Sequence, residues 1–366
     1  MAEHEVQVNQ TFVNTTRNFT LDSNESLEDK DYVKAGAYIL VFLTALIGNT
    51  IVVVVVRKNF GGRLRSVSYY FIVSLAVADL IMTVGNLPER ITRAFTADKW
   101  LLGGEIGIAV CKMANFIEKM TILVSISSLT AIAVDRFFNA FSPHRVIITV
   151  KRSYIIISLI WILSSIYCIP ILVYGNLLQK ENGTYCKTRI FFPKWTLWFL
   201  PFLIILLGSL FIVFILYFAI CAKLWCTKRP GRQRHASKTQ PTARGLVNRK
   251  VLKMVTVVVV AFYICFLPYW LGWIFCSYHF TPLICNDTYS SVSILFSYVN
   301  AALNPIIYVY FSENFRDGFT ALFPNLCRRI RKRNKVNPTR PHVTNALAGI
   351  TLQSVTLYQQ SMLSSV

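Results

Sequence analysis

Seven long apolar runs constrain this chain more than any other feature. They lie near residues 35–56, 68–88, 108–135, 153–174, 195–224, 251–276 and 289–311. Each has about 20 residues or more, enough for a helix to cross a hydrocarbon core of roughly 30 Å. A lone apolar stretch in lipid must satisfy its own backbone hydrogen bonds, which favours helices over strands. The expected fold class is an all-α membrane protein, a seven-transmembrane helix bundle with a short amphipathic helix after span seven. With 54% hydrophobic and 14% aromatic residues, the composition suits that class better than a soluble globule.

The formal net charge of +21 at first suggests nucleic acid. Its placement points elsewhere. Arg57, Lys58, Arg63 and Arg65 follow the first span, and Arg136, Arg145, Lys151 and Arg152 follow the third. Ten Lys/Arg lie from Lys223 to Lys253, and Arg328, Arg329, Arg331, Lys332 and Arg333 follow the seventh. The loop between spans six and seven has none. This alternation is the positive-inside bias and places the N-terminus outside. No nucleic-acid partner is expected.

Six Asn-x-Ser/Thr sequons provide an independent check, at Asn9, Asn14, Asn18, Asn24, Asn182 and Asn286. All fall on the outer side of that topology, where glycosylation is possible. The first 30 residues are polar and lack a cleavable signal pattern, so the first span is expected to act as the targeting anchor. The expected layout is an extracellular glycosylated tail over 1–34, a seven-transmembrane domain over 35–311, an amphipathic surface helix over 312–327 and a largely disordered cytoplasmic tail over 328–366. No internal repeat is evident, so inverted-repeat transporter logic finds no support. After span seven, Ser312 reads as an N-cap, and Phe315, Phe319, Leu322 and Phe323 recur at helical spacing.

The nine cysteines divide by compartment. Cys111, Cys186, Cys276 and Cys285 fall at the outer side, where disulfides persist. Cys168 and Cys265 lie inside spans, and Cys221, Cys226 and Cys327 near the cytosol. Cys276 and Cys285 could close a small loop between spans six and seven. No CxxC spacing occurs, so no zinc site is expected.

Polar residues stand where lipid would forbid them. Asn49, Asp79, Ser125, Asn300 and Asn304 interrupt four apolar spans. Such groups face the bundle interior. They form either a helix-bridging hydrogen-bond network or a site for a small hard cation, and the two are compatible. Pro170, Pro201, Pro268 and Pro305 sit inside spans and remove backbone hydrogen bonds there.

Taken in order, these residues resemble the rhodopsin-like (class A) G-protein-coupled receptors, and in particular their neuropeptide receptors. The resemblance covers about residues 35–327 and rests on Gly48-Asn49, Leu75-Ala76-Val77-Ala78-Asp79, Trp100 before Cys111, Asp135-Arg136-Phe137, Trp161 and Asn304-Pro305-Ile306-Ile307-Tyr308. It implies a Cys111–Cys186 disulfide, and an Arg136 switch paired with Asp135 at rest. Tyr217 and Tyr308 would reach toward Arg136 on activation. Asp79, Ser125 and Asn300 match the family's allosteric sodium site, and Ile126 and Phe262 part of its connector. The partners implied are a heterotrimeric G protein, arrestin and receptor kinases.

Four departures stand out. Phe137 replaces the usual Tyr. Phe266 stands where the family usually has a Trp, at the supposed toggle. Ser209 takes the usual span-five proline position. Asn248 stands where some members carry an acid.

The ligand has to be read from the outer cleft. Span seven has no lysine, and Tyr298 stands at the retinal-attachment position, which excludes retinal. Glu118 takes the amine-binding position of span three, followed by Lys119, and Glu89 follows Pro88 on span two. Two carboxylates in an apolar cleft suit a guanidinium or amine, though Arg90, Arg93 and Lys119 could pair with them internally. Tyr269, Trp270 and Trp273 would supply aromatic walls. The second outer loop is long enough for a hairpin, with Thr184-Tyr185-Cys186-Lys187 and Arg189-Ile190-Phe191 as its second strand. A neuropeptide with a basic residue and an amidated C-terminus is the expected ligand. The alternatives are a biogenic amine or other small cation, or, in a different class, a transporter or a binding protein that does not signal.

No Ser/His/Asp set, HExxH or Walker loop occurs, so no enzyme activity and no cofactor beyond a sodium ion are expected. Arg232–Ser237 fits a basophilic-kinase site, Cys327 a palmitoylation site, and Ser364-Ser365-Val366 a PDZ ligand.

Overall fold

The computed structural model describes residues 29–59, 66–96, 98–142, 147–227, 243–277 and 285–324, with backbone alone at 29, 30, 224–227, 243–251, 273, 277 and 287. Among these residues seven helices are long and apolar enough to span a membrane. They are α1 (Asp29–Lys58), α2 (Val67–Ala94), α3 (Gly104–Phe141), α4 (Val150–Tyr174), α5 (Trp195–Thr227), α6 (Ala243–Ser277) and α7 (Asp287–Phe311). A hairpin, β1 (Asn176–Lys180) and β2 (Gly183–Lys187), lies between α4 and α5, and α8 (Glu313–Leu322) follows α7. Each apolar run read from the sequence falls within one of these helices. Polar ends extend them: α1 begins at Asp29 and α3 continues to Phe141.

Burial separates the inner from the outer helices. The apolar window of α3 is 72% buried within the protein, that of α4 only 17%. Accordingly α3 packs against α2, α4, α5, α6 and both strands, while α7 returns to α1 and closes the circuit. Exposed residues such as Leu159, Ile162, Leu163 and Ile166 on α4 present the apolar face that lipid would cover. In lipid the hydrophobic effect cannot drive helix against helix, so close approach and polar bonds hold the bundle.

The contact of α1 with α7 shows both devices. A Cβ placed on Gly48 would lie 2.8 Å from Pro305 Cβ, so only glycine permits the approach. One residue on, Asn49 Nδ2 donates to its own helix at Ala45 O and across to Ala301 O, each at 2.9 Å. Between α5 and α6, the hydroxyls of Ser209 and Tyr263 lie 3.0 Å apart. Ser209, one of the four departures, thus supplies a polar link between these helices. Tyr289 of α7 packs where Gly272 of α6 leaves room, and its hydroxyl donates to Pro268 O at 2.8 Å.

Local signals set the ends. Thr149 accepts the Arg152 N–H and caps α4, Asn286 accepts the Tyr289 N–H and caps α7, and Ser312 accepts the Phe315 N–H at the start of α8. Phe315 then packs between Tyr308 and Tyr69, at ring distances of 5.4 and 5.7 Å.

The hairpin between α4 and α5 corrects one expectation. Its second strand ends at Lys187, and Arg189, Ile190 and Phe191 form a turn leading into α5. The Phe191 N–H bonds Thr188 O there, so those residues are taken up by local turn bonds rather than a ladder. The hairpin is held down twice. Cys111 on α3 is bonded to Cys186 on β2, and the Trp100 N–H donates to Thr184 O at 2.8 Å. A second disulfide joins Cys276 to Cys285.

Candidate functional site

The residues singled out from the sequence fall into three layers along the helices. The first, on the side of the β1–β2 hairpin, is an ion chain. Lys119 Nζ bonds Glu118 Oε1, and Glu118 Oε2 receives Arg90 Nη2 at 3.3 Å. Arg90 Nε lies 3.4 Å from Glu89 Oε2, and Glu89 Oε1 receives Arg93 Nη1 at 2.8 Å. Arg93 Nη2 reaches Asp98 Oδ2 at 2.9 Å. Tyr298 from α7 accepts from Arg90 Nε at 3.3 Å, with its ring below the guanidinium. Tyr269 from α6 accepts from Lys119 Nζ at 3.4 Å, and the rings of Tyr269 and Trp270 lie 5.4 and 5.9 Å from that ammonium. Pro88, six residues before the end of α2, is followed by Glu89 and Arg90, which is why both members of this pairing come from one short segment.

This arrangement bears directly on the two carboxylates expected to meet a basic ligand. The structure does bring Glu89 and Glu118 together. It also gives every one of their oxygens a cation from the chain itself. A ligand cation would enter only by exchange, because a buried carboxylate stripped of its partner is costly. Lys187 on β2 lies within electrostatic reach of Arg93, Asp98 and Arg90. Partial burial, and then repulsion from Arg93, holds its ammonium below the ordinary lysine value, with Asp98 opposing. Trp273, the third expected aromatic wall, lies outside the residues whose side chains are described.

An aromatic ladder beside this layer was not anticipated. Trp195, Trp198, Phe199 and Phe202 pack successively along α5, and both Phe199 and Phe202 touch Trp270, at 5.5 and 5.2 Å. Their i, i+3, i+4, i+7 spacing was legible as one helix face. Tyr167 on α4 anchors it: its hydroxyl donates to Trp198 O, and the Trp198 indole donates back to Tyr167 O at 3.0 Å.

The middle layer is polar and closed. Asn304 Nδ2 donates to Asp79 Oδ2 at 2.8 Å, and Asp79, Ser125, Asn300 and Asn304 are all buried. Among the described residues, the side-chain oxygens of Asn49, Ser128, Asn300, Asn304 and Tyr308 are buried without a hydrogen-bond partner. Of these, Asn304 bonds the Asp79 carboxylate and Tyr308 lies within its electrostatic reach, and oxygens so placed suit a small hard cation. Below the ion chain, Phe266 packs on Phe262 at 4.6 Å, and Ile126 is fully buried. The aromatic bulk of the toggle position is therefore kept without tryptophan.

The inner layer centres on Arg136. Its guanidinium bonds the neighbouring Asp135 carboxylate, with Nε at 3.0 Å from Oδ2. Ser68 Oγ donates to the same carboxylate at 3.1 Å and Asn139 Nδ2 at 3.2 Å. Both charged residues are buried. Tyr217 of α5 lies within electrostatic reach of Arg136, and Tyr308 within reach of Asp79 one layer up. Pro305 sits against Gly48 and fixes where Tyr308 emerges. Phe137, the departure from tyrosine, stacks on Phe141 at 4.4 Å. The side chains of Asn248, Arg249 and Lys250, all of Asn9, Asn14, Asn18 and Asn24, and all of Cys327 lie outside the described residues. Of the remaining sequons, Asn182 is exposed at the hairpin tip and Asn286 at the head of α7.

Comparison with known proteins agrees with this geometry. The family model described as 7 transmembrane receptor (rhodopsin family) matches residues 48–308. The chain is 30% identical over 318 residues to galanin receptor 2a of Danio rerio, covering 84% of this chain and 82% of that protein. It is 29% identical over 350 residues to the RYamide receptor of Tribolium castaneum, covering 88% and 91%. It is 28% identical over 305 residues to neuropeptide FF receptor 1 of Rattus norvegicus, covering 78% and 69%. With seven spanning helices, a bonded Asp135-Arg136 pair and a family match over most of its length, this chain belongs to the rhodopsin family of seven-transmembrane receptors.

Proposed function

We propose that this multi-pass plasma-membrane receptor binds an extracellular peptide and activates a heterotrimeric G protein. Three relatives with matches along most of this chain are named for peptides, which supports a peptide over an amine. The observation that carries the coupling half is the buried Asp135–Arg136 pair at the inner end of α3. A guanidinium held by its own neighbour is a cation in reserve. When the inner end of α6 swings outward, Arg136 is released and meets the G-protein α-subunit tail. The agonist favours the open state because it binds that state better. Glu89, Glu118, Lys119, Tyr269, Trp270 and Tyr298 line the ligand site in this reading, and Trp273 is assigned to it from the sequence alone. Asp135, Arg136, Tyr217, Phe262, Phe266, Asn304, Pro305 and Tyr308 form the switch.

The N-terminus faces outside, with residues 1–34 as a glycosylated tail, and residues 312–366 lie on the cytosolic side. Arrestin, receptor kinases and a PDZ protein would meet that side. Asp79, Ser125 and Asn300 would hold an allosteric sodium ion, whose positive charge would offset the Asp79 carboxylate. The unpaired Asn300 oxygen supports this. Sodium is then expected to speed agonist dissociation from the intact receptor and to lose that effect in Asp79→Asn. An equal sodium effect in both would refute it.

A screen tests the whole proposal. Cells carry the full chain with an N-terminal epitope tag and a promiscuous G protein. Surface labelling without permeabilisation and a response to at least one synthetic peptide are expected. An unlabelled surface would overturn the orientation. A response confined to amines would overturn the peptide reading.

A further inference from the structure

The ion chain has a direction. In order it runs Lys119, Glu118, Arg90, Glu89, Arg93, Asp98. Signs alternate, and each of the four interior charges has a neighbour of opposite sign on both sides. The two ends do not. Asp98 ends the chain at the surface, with 53% of its side chain exposed, so water completes its solvation. Lys119 ends it at depth, with only 9% exposed. Its ammonium has one carboxylate, one tyrosine hydroxyl and two ring faces.

An ammonium in that position keeps hydrogen-bonding capacity, because it has three N–H donors and meets two oxygens. The ring faces of Tyr269 and Trp270 attract it but supply no third oxygen. The group that extends the alternation by one is an anion. It would need to break no bond, whereas a cation would have to displace Lys119 or Arg90. Nearby groups point the same way. The Trp270 indole N–H is buried and has no hydrogen-bond partner among the described residues, and this ring lies against the Lys119 ammonium. Lys187, within electrostatic reach of Arg93 and Arg90, adds positive potential at the outer end.

We propose that the receptor reads a carboxylate at the inserted end of its peptide, held by the Lys119 ammonium with Tyr269 and Trp270 as its walls. This deepens the peptide reading above and rests on it. The carboxylate would be a free C-terminus or an Asp or Glu side chain; the chemistry at Lys119 is the same, and the test separates the two.

The experiment uses the full chain in cells, with surface level read from the N-terminal tag. Synthetic peptide pools differ in one group: free acid termini, amidated termini with Asp or Glu, amidated termini with only neutral residues, and amidated termini with Arg or Lys. Activation is expected from the first or second pool. Amidating the terminus, or changing Asp to Asn, should lower the potency of the active peptide roughly 10- to 100-fold. Lys119→Gln should lower it equally and leave no further loss on neutralising the peptide. Lys119→Arg should keep the preference for the anion, which shows a reader of charge rather than a structural clasp. Activation by neutral or basic peptides alone would overturn the proposal while keeping the peptide reading. So would equal losses for acidic and neutralised peptides in Lys119→Gln, or loss of the preference in Lys119→Arg. No response to any pool would overturn the peptide reading, and this proposal with it.

Discussion

Arg136→Ala is expected to reduce agonist-driven nucleotide exchange to the basal level while most of the protein still reaches the cell surface. The geometry separates the two effects. Arg136 is bonded to Asp135, and losing a buried guanidinium leaves a buried carboxylate, ordinarily a cost of about 3–5 kcal/mol. Here Ser68 and Asn139 already donate to that carboxylate, at 3.1 and 3.2 Å. They keep Asp135 partly satisfied, so folding suffers less than that figure. Coupling has no such reserve, because no other described cation is held at this point of α3. The measurement is GTP exchange on a co-reconstituted G protein, with a peptide from the screen and surface level as control. Exchange retained in the variant would show that Arg136 is structural.

Cys111→Ser is expected to abolish high-affinity ligand binding and to lower surface delivery severely. The Cys111–Cys186 bond spans 75 residues, and a loop of that size gains about 4 kcal/mol from cross-linking in the chain-entropy picture. The bilayer already orders α3 and α4, so that figure is an upper bound. The larger effect is local. Without the bond, β2 keeps its tie at Trp100 and its pairing with β1, but loses its anchor at α3. Lys187, one residue past Cys186, would no longer be fixed within electrostatic reach of the ion chain. Asn115, whose Nδ2 lies 3.1 Å from Cys186 Sγ, would lose that contact too. Radioligand saturation on intact cells, normalised to tag signal, checks this. Unchanged affinity at normal surface level would refute it. Cys276→Ser should matter less, since its bond to Cys285 closes a separation of only 9 residues.

The span count was legible from residue order alone because lipid imposes a one-dimensional rule: about 20 apolar residues per crossing, whatever they touch. One helix end was legible too: Ser312 read as a cap, and it accepts the Phe315 N–H three residues further along. The Arg189–Phe191 strand failed because turn and strand compete locally, and Thr188 O captured the Phe191 N–H. The α5 aromatic ladder was present in the spacing of Trp195, Trp198, Phe199 and Phe202, but its contact with Trp270 joins residues about 70 positions apart.

Residue order by itself determined how many times the chain crosses, which family it resembles, and which side chains are out of place in lipid. Those properties depend on local hydrophobicity and on motifs a few residues long. The tertiary structure alone decided what Glu89 and Glu118 bind. Candidate partners stood at 90, 93 and 119, but only the packing of α2 against α3, with Tyr298 and Tyr269 brought in from α7 and α6, made one alternating chain of them. Coulomb attraction acts between charges wherever folding puts them, and a buried charge selects its partner by distance and direction rather than by rank in the sequence.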